Sequence, residues 1–369
     1  MPRLLKLTLT HFRNYTRLVW SPERPLVVLT GENGSGKTNL LEALSLLAPG
    51  RGLRRAPLTE LAQSGETEWG VSARLLQNAE TLDLATGVTA GNATSKRTYL
   101  LNGRVARTQG IIDEALSAVW ITPQMDRLFS EGASGRRRFL DRLVMGVTPD
   151  HTRQLLAYDR AMTQRNKLLQ TRYSEQSWLS GLEASMARHA IAIAAARADL
   201  VQHLNQFSQT SLGEFPAATL VLDCELTKQL EHHPALGVED WFREQLSSTR
   251  AQDRERGRTT RGPHRSDFSL SDFTTGQLAA TASTGQQKSM LLGVVLAHAR
   301  LVTDHRGTAP LLLLDEPLVH LDQKRRGALM ENLRSFDTTA ILTGTDTAPF
   351  APLQDTAQFI SLKSGYFLP

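Results

Sequence analysis

Apolar and polar residues alternate in "LLKLTLT" (4–10), the period of a half-buried strand. The continuous apolar run "LVVLT" (26–30) reads as a fully buried strand. After residue 37 the period changes, and Leu40, Leu44 and Leu47 share one helical face. Residues 51–120 are mixed, with "TYLLNGRVA" predicting a hairpin turned at Asn102–Gly103. From about residue 150 the texture becomes long and helical. Leu155, Tyr158, Met162 and Leu169 make one stripe; Leu182, Met186, Ile193, Ala196, Leu200 and Leu204 make a second, with "RYSEQS" as the turn between them. Two antiparallel helices of roughly twenty to thirty residues, hence roughly 30–45 Å long, are expected. A strand "ATLVLDCEL" and one helix "DWFREQLSSTRAQDRERG" complete this region. Beyond residue 260, a helix with Leu291, Val294, Val295, Ala299 and Val302 on its core face and the buried strands "LLLL" (311–314) and "AILTGT" (340–345) return to the α/β pattern. The expected fold is therefore α/β, with residues 1–149 and 261–369 forming one discontinuous nucleotide-binding head and 150–260 an inserted, mainly helical lateral domain.

Composition narrows the picture without deciding it. A chain of 369 residues can bury a sizeable core, and 42 Lys and Arg against 37 Asp and Glu leave a formal charge of +5. That excess, carried mostly by arginine, permits contact with nucleic-acid phosphates. The single cysteine, Cys224, allows no internal disulfide, and no Cys/His spacing suggests zinc. A buried thiol is expected there. The first residues lack the apolar core of a signal peptide, and Arg197 interrupts the alanine-rich stretch 190–196, so no run reaches transmembrane length. A cytoplasmic protein with no membrane partner is expected.

"GENGSGKT" at 31–38 sits between the predicted strand and helix, the context a phosphate loop needs. Gly31, Glu32, Asn33, Gly34, Ser35 and Gly36 can wrap backbone N–H groups around the β-phosphate of ATP. Lys37 can reach the β- and γ-oxygens, and the Thr38 hydroxyl can ligate Mg2+. The buried run ending in "LLLLDEP" (311–317) supplies the second half: Asp315 for the Mg2+ shell and Glu316 to orient the attacking water. Gln124 in "WITPQMDRLF" is either a third metal-site ligand or an exposed loop glutamine. Thr343 and Thr345 in "ILTGT" stand where a γ-phosphate sensor would sit.

A second polar turn, "STGQQKSM" (283–290), also opens a helix. By itself Ser283 or Thr284 reads as a helix cap. Paired with a complete phosphate loop elsewhere in the chain, Ser283, Thr284, Gly285, Gln286, Gln287 and Lys288 read as a second phosphate grip that closes on the nucleotide of another copy. Asp322, in "LVHLD" just after the carboxylates, is placed to contact that copy's phosphate loop.

The order of these motifs resembles the ABC-type ATPase heads of the SMC-like group, and within it the RecF family of bacterial recombination mediators. "LTHFRNY", "RRRFLDRL" (136–143), "RGPHRSDF" (261–268), "STGQQKSMLL" (283–292) and "LLLLDEPLVHLD" (311–322) carry the likeness from one end of the chain to the other. The resemblance implies an ATP-dependent homodimer that binds DNA, double-stranded, single-stranded and gapped, without regard to sequence. It also implies help in loading recombinase, work with RecR and RecO, and roles in replication-fork maintenance, repair and SOS induction; the retained Glu316 argues for ATP hydrolysis, expected to be slow because product release and dimer opening limit it. The resemblance further implies an acidic residue at position 124, where this chain has Gln124.

Arginines gather in three places: 250, 254, 256, 258, 261 and 265; 51, 54 and 55; and 136, 137 and 138. Each group reads either as a contact with the DNA backbone or as a solvated face with helix salt bridges. With few aromatics interleaved, base stacking is not the expected mode. Two rival readings share the ATP chemistry. A transporter ATPase subunit would need a surface for membrane helices, and a chromosome-tethering SMC-like arm would need hundreds of residues that the insertion lacks.

Overall fold

The computed structural model describes residues 2–89, 97–106, 109–210 and 215–368. A six-stranded core sheet runs in the order Tyr366–Leu368, Gln358–Lys363, Leu26–Thr30, Ala340–Gly344, Leu311–Leu314, Ala118–Ile121. All its neighbours are parallel except the first pair. Its central strands are buried on both faces, which is why they read as unbroken apolar runs. Leu311 and Leu313 face the phosphate-loop helix Lys37–Leu47, whereas Leu312 and Leu314 face the helix Thr284–Arg306. The two-residue period of one short strand thus holds the two helices on opposite sides of the sheet.

The alternating start of the chain forms Arg3–Phe12 in a second, antiparallel six-stranded sheet, ordered Tyr15–Trp20, Arg3–Phe12, Trp69–Gln77, Glu80–Val88, Thr98–Leu101, Arg104–Val105. This sheet covers the other side of Lys37–Leu47, so Leu4, Leu7 and Leu9 share a core with Leu40, Leu44 and Leu313. The expected hairpin turns at Asn102–Gly103, both with positive φ as a tight primed turn requires.

In the middle region, His151–Thr171 and Gln176–Thr210 pack antiparallel as expected, but the second helix has 35 residues, about 52 Å at the helical rise and longer than expected. Its two halves serve different cores. Met186, Ala190 and Ile193 pack with Tyr158, Phe242 and Leu246, while Leu200, Val201 and Leu204 join Leu291 and Val295 beneath the core sheet. Strand Ala218–Asp223 pairs with Asp267–Asp272, so the sheet contact crosses the expected boundary at 260/261. The helix expected over 240–257 is two helices, Ala235–Ser248 and Arg250–Arg256, broken at Thr249, whose hydroxyl bonds back to Gln245. Cys224 is buried, and among the described residues no helix is long and apolar enough to cross a membrane.

Candidate nucleotide site

The loop Gly31–Gly36 joins the strand Leu26–Thr30 to Lys37–Leu47 at the carboxyl edge of the parallel strands. Gly36 sits at φ +111°, and a Cβ there would lie 2.7 Å from Asn14 Nδ2 and Tyr15 Oη, so only glycine fits. "LTHFRNY" braces this loop from behind. Tyr15 Oη donates to Gly36 O at 3.0 Å, and Arg13 clamps buried Glu42 of the helix through two bonds of 2.9 Å, with Arg54 as a second partner. Lys37 Nζ donates to Gly31 O at 2.6 Å and Glu32 O at 2.9 Å. Burial lowers the Lys37 amine below its ordinary value, against the pull of Glu316 and Asp315. Glu32, Asn33 and Gly34 are exposed at the rim, and Ser35 Oγ is buried with no protein partner.

Strand order brings the distant carboxylates in. Thr38 Oγ1 lies 3.0 and 3.1 Å from the two oxygens of Asp315, 277 residues away. Oxygens about 3 Å apart can occupy adjacent corners of an octahedron with bonds of about 2.1 Å, so this pair fits Mg2+ as two of its six ligands. Thr343, read as a γ-phosphate sensor, instead lies fully buried beneath the carboxylates. Its Oγ1 donates to Asp315 Oδ1 at 2.7 Å and accepts from Glu316 N at 2.9 Å. Thr345 is exposed and bonds to its neighbour Asp346. Glu316 has φ +49°, an uncommon backbone state for a residue with a side chain.

Gln124 is exposed in the short turn Pro123–Arg127 after strand Ala118–Ile121. The carboxylate that this turn directs inward is Asp126, 3.5 Å from Lys288 Nζ. Burial raises Asp126 above the usual carboxylate range, partly offset by Lys288.

The 283–288 turn is closed on itself. Ser283 caps the helix through a capping box with Gln286, which also donates to Gln277, and Gln287 Nε2 donates to Ala282 O. Lys288 corrects the expectation that it belongs to the grip: it is 1% exposed, and its Nζ points inward to Glu316 O at 2.8 Å. The side chains of Gln286 and Gln287 are likewise engaged within the chain. Thr284 and Gly285 keep first-turn N–H groups with no intrahelical acceptor. Among the described residues no hydrogen bond or ion pair joins 283–288 to 31–38. Asp322 caps the helix Gln323–Arg334 by accepting from Arg325 N at 2.9 Å.

Many of the clustered arginines are structural. Arg197 donates to both oxygens of Asp141 at 2.8 Å, to Pro263 O and to Ser266 Oγ, tying "RRRFLDRL" to "RGPHRSDF". Arg136 adds a two-pronged bond to Asp267. Buried Arg165 holds Glu183 and Asp253, and Arg250 shares Glu183. Arg261 pairs with Glu225 and lies over Trp241. Arg256, Arg258 and Arg265 remain exposed, as does Arg254, which stacks on Tyr173. Arg51, Arg55 and Arg138 form a second exposed group close enough that Arg138 and Arg51 add to burial in lowering Arg55.

Residues 3–349 match the model of the RecF/RecN/SMC N terminal domain family. The DNA replication and repair protein RecF of Mesorhizobium japonicum is 44% identical over 98% of this chain and 96% of its own length. The chain belongs to the RecF family. RecF of Rhizobium meliloti is 41% identical over 98% of this chain and 97% of its own. A solved structure of the recombination mediator RecF with ATP, of the RecFOR pathway, superposes with a TM-score of 0.85 at 21% identity, covering 100% of this chain and 97% of that one. An Smc head from Pyrococcus furiosus superposes at 0.53 and 17% identity over 100% and 95% of the two chains, a likeness of fold. The RecF-type chain is thus an ABC-type ATPase of DNA replication and repair, and the transporter reading is not favoured.

Proposed function

We propose that this RecF-family ATPase binds ATP and Mg2+ at Gly31–Thr38 and closes on them as a head-to-tail homodimer, which holds DNA at gaps during recombinational repair and replication-fork maintenance. One observation carries the reading: Thr38 meets Asp315, with Glu316 beside it, at the sheet edge, while among the described residues no hydrogen bond or ion pair joins the 283–288 turn to its own chain's phosphate loop at 31–38. In the homodimer the N-terminus of Thr284–Arg306, with Ser283 and Gly285, meets the γ-phosphate held by the other copy's phosphate loop, and Asp322 lies alongside.

Lys37 turns from its own loop carbonyls to the β- and γ-oxygens, a move that exchanges two neutral acceptors for charged ones. Thr38 and Asp315 hold the Mg2+, which supplies charge neutralisation on the phosphate oxygens when bound. Asp315 is aimed by Thr343, and Glu316 orients and accepts a proton from the attacking water. Turnover is slow because dimer opening follows the chemistry. Glu316→Gln should lower turnover by about a thousandfold and trap an ATP-bound dimer in light scattering; a monomer with ATP would remove Glu316 from this role.

Exposed Arg51, Arg55 and Arg138, and the outlying Arg254, Arg256, Arg258 and Arg265, supply phosphate contacts without base readout. RecR and RecO are proposed as partners on the likeness to the recombination mediator RecF of the RecFOR pathway. A gel-shift series with gapped, duplex and single-stranded DNA, with and without ATP, tests this. Gapped DNA plus ATP should bind tightest, and strong preference for one base sequence would contradict it.

A further inference from the structure

The backbone of Glu316 is held from both ends. Its N–H bonds to Thr343, and its C=O accepts from Lys288 Nζ at 2.8 Å. Between these two clamps the residue sits at φ +49°, a conformation that persists only where its surroundings over-determine it. Lys288 is the unusual clamp. It lies one turn into the helix that begins at Ser283, is almost fully buried, and has burial lowering its amine while Asp126 at 3.5 Å pulls the other way. A second contact joins the same two segments: a Cβ on Gly285 would lie 2.5 Å from His320 O. The grip turn and the loop 316–320 are therefore packed as one body.

We infer that Lys288 is a positioning residue for Glu316, so that each chain's grip turn, engaged on its partner's nucleotide, sets the geometry of the carboxylate at its own. The head-to-tail homodimer proposed above is the premise. In that dimer the two sites are linked through each chain: a push on Ser283 and Gly285 from one nucleotide travels along one helical turn to Lys288 and reaches the Glu316 that faces the other. Lys288 acts in cis, on its own chain's carboxylate, although the turn it belongs to acts in trans.

Mixed dimers of differently tagged chains separate the two. Glu316→Gln silences hydrolysis at one site while both nucleotides stay bound. In the first mixture, Lys288→Met is placed on the chain whose Glu316 is intact and Glu316→Gln on its partner. Single-turnover hydrolysis should fall about 100-fold, with KM for ATP within about threefold of the Glu316→Gln/wild-type control. In the second, Lys288→Met and Glu316→Gln share one chain and the partner is wild type; hydrolysis should stay within about threefold of the same control. Loss in the second mixture, or retention in both, overturns the assignment. Asp126→Asn, which opens no cavity, should reproduce the same cis pattern in milder form, and covers the case in which Lys288→Met does not fold. If the control chains do not dimerise with ATP in light scattering, it is the homodimer reading that fails, and that result is visible before any hydrolysis is measured.

Discussion

Two glycine-containing turns in this chain open helices that pack on opposite faces of one sheet, yet they are finished in different ways. The loop at 31–38 is completed by its own chain: Asn14 and Tyr15 press on Gly36, Thr38 meets Asp315, and Thr343 supports the carboxylates. The turn at 283–288 is capped by its own Ser283–Gln286 box and held from behind by Lys288 on Glu316 O, with no bond to its own chain's phosphate loop among the described residues. In the proposed homodimer, the same local signal, a polar turn at a helix N-terminus, marks a preassembled site in one case and half of a site in the other. What distinguishes them is whether the fold brings catalytic partners to the turn.

Substitutions should separate the two turns in kind as well as degree. Lys37→Ala removes the only lysine of the preassembled loop and should weaken ATP binding to the monomer by about 100-fold, roughly 2.7 kcal/mol, in equilibrium titration. Ser283→Arg places bulk at the unfinished turn; ATP binding by the monomer should stay within about threefold, while ATP-dependent dimerisation weakens by about 30-fold in light scattering. Ser283→Ala deletes only the capping oxygen, and should cost about 1 kcal/mol of stability by denaturant melt with the monomer's ATP affinity unchanged. Smallest of all, Arg55→Gln touches neither turn and should reduce the salt slope of DNA binding by about one, without altering ATP affinity. Equal effects of Lys37→Ala and Ser283→Arg on monomer binding would erase the distinction.

Strands and helices were legible where burial is periodic and uninterrupted. The run 311–314 announces a central parallel strand because both its faces are covered, and the stripe at 155–169 announces a helix. The role of Thr343 was hidden because it depends on strand order. Leu314 pairs with Leu342, so Thr343 falls beside Asp315, a register no local pattern carries. Lys288 was misplaced for a related reason. A lysine in a polar turn looks like a phosphate ligand, but a helix turns its fifth residue back toward the core, where Asp126 and Glu316 O receive it. Arg197 interrupts an alanine-rich stripe in sequence; in the fold it pins the long helix to Asp141 and Ser266 where its two halves enter different cores. Arginine clusters likewise could not be divided into pinned and free members until their acidic partners, up to 131 residues away, were in place.

The central claim is that one nucleotide is caged by two copies, the phosphate loop from one and the 283–288 turn from the other. Mixing the Lys37→Ala chain with the Ser283→Arg chain tests it directly, since each is impaired in a different half. Neither chain alone should hydrolyse ATP, whereas an equimolar mixture should recover turnover, with a ceiling of about a quarter of wild type because half of the dimers carry one intact cage; the Glu316 of that cage belongs to the Ser283→Arg chain, so the coupling through Lys288 lowers the recovery below that ceiling. No recovery on mixing, or Ser283→Arg alone turning over at the wild-type rate, would mean that each chain completes its own site.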